Sequence, residues 1–282
     1  MASASRGELV IARMRYRSDM PQRRSRRHFL IAALAVIAPA THSRTRTFTD
    51  DAGRKIALPA QVNRIFCAGP PASILVYALA PDRLVGWTTP FQSAERPFIP
   101  DKYLDLPVTG RLTGRGNSAN IESVLAIKPD LILDYGTVNP TYASLADRTQ
   151  KQTGIPTLLL DGRFDRIPDT LTRLGEILGN TTLSAEWARY ATATLAEIDS
   201  RVARIPATRR PRVYYARGPR GLNTARPGSI NVETLERLGA LNAAAELGPG
   251  GLANVSMEQV TLPRFHVHQI VGNFLMNGGR DE

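Results

Sequence analysis

Short apolar runs alternate with helical stretches along the first 165 residues, and that alternation restricts the chain more than any other feature. "NRIFCAG" (63–69), "RLVGWT" (83–88), "LILDYG" (131–136) and "PTLLLDG" (156–162) read as strands. Between them "ASILVYALAP" (72–81), residues 120–127 and residues 141–153 read as helices, the first stopped by Pro81. Strands that are apolar on both faces belong in a parallel sheet covered by helices on both sides. "LPVTG" (106–110) reads as a further strand and runs into a Gly-rich loop, "GRLTGRGNS" (110–118). A polar, strand-like lead-in, "TRTFTDDAGRKIALP", precedes the first apolar run.

Residues 167–205 are helical in period, with a break at Gly179-Asn180. The second piece, 184–205, carries Trp187, Tyr190, Ala191, Leu195, Ile198, Val202 and Ile205 on one face. At 1.5 Å per residue it is roughly 33 Å long, enough to bridge two lobes; a cover helix on a single sheet is the alternative. The alternation then restarts. "RPRVYYARG" (210–218) is a strand, 220–229 a loop or hairpin, and "INVETLERLGALNAA" (230–244) a helix ending near Gly239. "LANVSMEQV" (252–260) begins another helix. The expected class is α/β, with two Rossmann-like lobes joined by a single long helix. The first lobe spans 41–166, a helical linker 167–209 and a partial second lobe 210–260.

The net charge of +11 raises nucleic acid as a partner, but its distribution excludes it. Eight arginines in residues 1–40 face only Glu8 and Asp19, so more than half of the excess sits there. The rest is scattered, without the dense basic block or interleaved aromatics of a nucleic-acid surface. The N-terminal arginines precede an apolar run from Phe29 to Ala38 and the small-residue site Ala38-Pro39-Ala40. Such a run is too short to span a bilayer and fits a signal peptide over 1–40, cleaved near Ala40. "SRRHFL", with Arg26 and Arg27, is similar to the twin-arginine export signal; an ordinary secretory signal is the alternative. Met20 is an alternative start. The single cysteine, Cys67, lies in "RIFCAG" and not after the signal, which argues against a lipoprotein and for a small buried hydrophobe. The address read from these features is a soluble periplasmic protein.

Taken in order, "DDAGRKIALPAQVNRIFCAG", "LAPDRLVGWT", "NIESVLAIKPDLIL", "RPRVYYARG", "INVETLERLGALNAA" and "VSMEQV" resemble the periplasmic substrate-binding proteins for iron complexes and cobalamin that serve ABC importers. The resemblance covers about 45–260. It implies two lobes on one rigid helix, a ligand in the cleft between them and little hinge motion. It also implies that one Glu from each lobe, Glu122 and Glu258, meets arginines of a membrane permease. Negative charge is favoured near helix N-termini in any case, which is the plain structural alternative. After Val260 the resemblance expects a strand, further βα units and closing helices. "TLPRFHVHQIVGNFLMNGGRDE" (261–282) departs from this, and we expect it to be an aberrant, poorly packed tail of a truncated second lobe.

No histidine occurs between 43 and 265, which argues against a His-built metal receptor and against Ser-His-Asp or Cys-His catalysis. His266 and His268 could place two imidazoles on one face of a strand, but further ligands are missing. Asp130, Asp134, Asp161 and Asp165 read as turn or capping residues. Open α/β sheets bind ligands on loops after their strands. The candidates there are Pro70, Pro71, Ser73, Trp87, Arg111, Arg115, Asn117 and Tyr135 in the first lobe, and Tyr215, Arg217 and Arg226 in the second. Arginines beside aromatics suit an anionic or conjugated ligand. No cofactor is expected. The expected function is capture of a metal complex, first a ferric siderophore, by a monomeric receptor that hands it to the permease. Haem or cobalamin, an oxyanion such as molybdate, a non-transporting truncated remnant and a chelatase-like enzyme are the alternatives. The histidine-free body weighs against the enzyme.

Overall fold

The computed structural model describes residues 46–114, 118–261, 265 and 267–273; the segment 1–40 expected to be a signal peptide, with Arg26 and Arg27, and Arg115, Asn117 and His266, lie outside them. The polar lead-in forms a hairpin of β1 (Arg46–Thr49) and β2 (Lys55–Leu58), antiparallel with Arg46 opposite Leu58. In its turn the Asp50 carboxylate is buried, where it accepts from the Ala52, Arg54 and Leu159 amides and pairs with Arg54. A buried carboxylate needs that many partners, and here they fasten the hairpin to the first sheet.

Then come β3 (Ile65–Cys67), α1 (Pro70–Leu79), α2 (Asp101–Leu104), α3 (Ile121–Ile127), β4 (Leu131–Gly136), α4 (Pro140–Thr153) and β5 (Thr157–Asp161). Asn120 and Ser123 cap α3 reciprocally, and Asn139 caps α4, which ends on Gly154 in the left-handed conformation. The strands pair in parallel in the order β3-β4-β5. Leu131, Ile132, Leu133, Leu158, Leu159 and Leu160 are fully buried, at about 1.5–3 kcal/mol each. The expected strands at 83–88 and 106–110 do not form. Only single bridges, Ile65 to Leu84 and Trp87 to Val108, remain of them.

The break at Gly179-Asn180 separates α5 (Ile167–Leu178) from α6 (Thr181–Ala203). Leu171, Leu174, Ile177 and Leu178 of α5 enter the core around β3–β5, so α5 is part of the first lobe's packing. The apolar stripe of α6 is not buried in the same way: Trp187 is 43% and Tyr190 68% exposed.

The second sheet is built from β6 (Arg212–Arg217), β7 (Asn223–Ala225), α7 (Glu233–Arg237), β8 (Leu241–Asn242), β9 (Leu252–Asn254), α8 (Met257–Thr261) and β10 (Gln269–Asn273). Its order is β10-β6-β7-β9, with β8 also paired to β6; β10 and β8 run parallel to β6, and β7 antiparallel. This corrects two expectations. "LAN" (252–254) is a strand, paired with β7, and the helix begins only at Met257. The described part of 261–282 joins the second sheet: β10 pairs with β6 from Gln269–Val213 to Asn273–Arg217 and Phe265 is fully buried among Tyr214, Ala216, Ala243 and Val255, while residues 269–272 stay exposed. "QIVGN" (269–273) is the strand that follows the "VSMEQV" helix. Polar Gln269 at its start and Asn273 at its end hide it from an apolar-run reading.

Candidate functional site

Two strand ends face each other across a cleft of about 530 Å³. The first lobe contributes Gly69–Pro71 after β3, Thr113 and Gly114, Asp134–Thr137 at the end of β4, and Tyr142 on the first turn of α4. The second contributes Arg217 at the end of β6, Ile230, Asn231 and Leu252. The position is the one open α/β sheets favour, outside the carboxyl ends of parallel strands, where backbone and side chains converge without filling the space.

The lining mixes apolar and polar surface and carries one acidic and one basic side chain, Asp134 and Arg217. The Arg217 guanidinium donates to the Asn231 side-chain oxygen and lies 5.9 Å from the centre of the Tyr215 ring. From the other lobe comes Asp134, 8% exposed, which accepts from the Thr113 hydroxyl at 3.1 Å. Burial pushes its carboxyl above the usual range, against the opposing hydrogen bonds from Thr113 and the Tyr135 amide. The Tyr135 phenol is pushed up to about 12, first by burial and then by the negative Asp161 and Glu233 nearby. It therefore meets a ligand as a neutral O–H.

Of the residues expected from sequence, Pro70, Pro71, Tyr135 and Arg217 line this cleft, and the Tyr215 ring lies beside Arg217. Others point elsewhere. Trp87 is 4% exposed inside the first lobe: its indole N–H donates to the Tyr103 carbonyl at 2.7 Å, and its ring packs on Tyr77 and Phe91. Ser73 is buried on α1, where its hydroxyl donates to the Pro70 carbonyl at 2.8 Å. Arg111 holds its loop by backbone bonds with Ser118 and Ala119 and is not in the cleft lining, nor is Arg226, which packs against Gly250. Arg115 and Asn117 lie outside the described residues.

Asp134, Thr113, Tyr142 and Asn231 were missed. Asp134 was readable as a strand-end residue, but its burial in the cleft depends on Thr113, which is distant in sequence. Among the described residues no group of three or more His, Cys, Asp or Glu side chains could hold a metal ion. The His268 imidazole accepts from the Arg212 amide at the sheet edge. Glu122 and Glu258 are both exposed in the first turns of their helices.

A family model of periplasmic binding proteins matches residues 79–261. A cobalamin-binding protein of Halobacterium salinarum is 27% identical over 230 residues, covering 76% of this chain and 57% of that protein. The chain thus spans little more than half the length of the curated relatives it matches. An ABC transporter solute binding protein from Sulfurospirillum deleyianum has a similar structure, with a TM-score of 0.67, 29% identity and coverage of 80% of this chain and 71% of that one. The molybdate periplasmic binding protein MolA of Haemophilus influenzae shares the fold at 21% identity and a TM-score of 0.63, over 80% of this chain and 73% of that one. With a matched span that takes in β4 to β9 and α2 to α8, the chain belongs to the periplasmic binding protein family.

Proposed function

We propose that the chain is the solute-binding component of an ABC import system, acting in the periplasm, and that it captures an organic metal complex in the interlobe cleft. The observation that carries this reading is that an acidic side chain from one lobe, Asp134, and a basic one from the other, Arg217, line the same cleft. A small oxyanion would have to approach a buried carboxyl, and desolvated like charges repel strongly. A larger ligand with amide, hydroxyl or carboxylate groups around a metal can give a donor to Asp134 and an acceptor to Arg217. Corrinoids and ferric chelates share this chemistry, and the cobalamin-binding relatives support the first.

Isothermal titration of the full chain with cyanocobalamin, a ferric trihydroxamate, haemin and molybdate separates the ligands. At least one of the first two should bind saturably. Arg217→Ala should weaken that binding about 10- to 100-fold, the worth of a charge-assisted hydrogen bond. Binding of molybdate alone would sink the proposal. For the membrane partner, we propose Glu122 and Glu258 as docking carboxylates. Reversing both to Arg should abolish stimulation of the permease ATPase in vesicles, and the ligand titration should not change.

A further inference from the structure

Behind the cleft lies a second chamber of about 430 Å³ whose wall is almost wholly apolar. Ile74 and Leu75 of α1, Leu171 of α5, and Trp187, Ala191 and Leu195 of α6 supply most of it. Its one charged lining group, Arg237, is already committed, spanning Asp165 and Asp199. Pro71 and Tyr135 line both spaces, so the chamber and the cleft adjoin at these two side chains. The chamber opens to solvent past Ile74, 61% exposed, and Tyr190, 68% exposed. An apolar surface of this kind marks a place where something binds.

We infer that the ligand of the cleft is amphipathic: its metal-bearing head sits between Asp134 and Arg217, and an alkyl or acyl arm passes Tyr135 into this chamber. The inference rests on the cleft reading above and narrows its substrate class. A polar arm is disfavoured because the chamber has almost no free donor or acceptor to replace lost water. A hydrocarbon arm gains about four-fold in affinity for each methylene it buries.

The test compares two ferric trihydroxamates that differ only in one N-acyl group, acetyl or dodecanoyl, titrated into the full chain, with dodecanoate alone as a third probe. The dodecanoyl chelate should bind at least about 100-fold more tightly, the gain from burying three or four of its ten extra methylenes. Ala191→Trp and, separately, Thr194→Trp, each checked for folding by circular dichroism, should fill the chamber and bring the two chelates to the same affinity. Equal affinities in the unsubstituted chain would overturn the inference while leaving the cleft reading standing, as would folded variants that keep the full difference. Failure of both chelates, with dodecanoate binding lost in Ala191→Trp, would instead sink the cleft reading and keep the chamber as an independent apolar site. If dodecanoate also fails to bind, the chamber assignment falls. A concentration-dependent dimer in light scattering that Ala191→Trp abolishes would assign the chamber to a second copy, and this too would overturn the inference.

Discussion

The Asp51 carboxylate is buried at the junction of the hairpin, β5 and α5. It accepts from the Asp161 amide at 2.7 Å, from Arg173 at 2.6 Å and from Arg166 at 3.2 Å. Burial alone would push its carboxyl up; these hydrogen bonds and the Arg173 charge outweigh it and hold the group below the usual carboxylate range. A depressed folded value means the charged form is favoured in the native state. Its contribution is complete above about pH 4 and is lost as pH falls through the lowered value. Asp51→Asn should therefore cost about 2 kcal/mol at pH 7, the scale of hydrogen bonds to a charged group. The gap should close towards pH 2, as measured by urea unfolding at both. A gap that persists at low pH would mean the loss is one of packing. The candidate site was legible to the same depth. Strand-end position pointed to Pro71, Tyr135 and Arg217. It could not separate them from Trp87 and Ser73, whose polar atoms find partners inside the first lobe.

α5 and α6 meet closely because Gly175 faces Ser184: a Cβ on Gly175 would lie 1.8 Å from the Ser184 hydroxyl oxygen. In an exposed helix Gly→Ala gains about 1 kcal/mol. Here overpacking, typically 1–3 kcal/mol or more, opposes that gain and outweighs it. Gly175→Ala should lower stability by about 1–2 kcal/mol and Tm by roughly 2–8 °C. The double change Gly175→Ala with Ser184→Gly should recover part of the loss by making room. A stabilised single variant would show that the helices separate freely. Elements of this length were also the ones legible in the sequence. α5 and α6 carry enough turns for a period to emerge, and β4 and β5 each contain three consecutive buried aliphatic residues. β9 has three residues and β10 is polar at its start, so neither shows a period; only pairing with β7 and β6 makes them strands.

At the scale of the molecule the two sheets are unequal. The first core joins Val76, Leu131, Leu133, Leu158, Leu160 and Leu174 into one large cluster, whereas the second centres on Tyr214, Ala216, Ala243, Val255 and Phe265. Two alanines in five give the smaller core little apolar area, so the second sheet should be the less stable cooperative unit. Its attachment to the first lobe runs through α7. Glu233 accepts from the Phe164 amide at 3.0 Å, and Arg237 bridges Asp165 on the first lobe and Asp199 on α6. Both aspartates are more than half exposed, which limits each pair to about 1 kcal/mol or less. Native-state hydrogen exchange should find β4 and β5 amides best protected and β6 and β7 amides opening first. Arg237→Ala removes both pairs and leaves either core whole. It should speed exchange in β6 and β7 about five-fold, the equivalent of about 1 kcal/mol, with β4 and β5 unchanged. Equal acceleration in both sheets would show that the lobes unfold as one body, with α7 holding the whole fold together and not merely joining its halves.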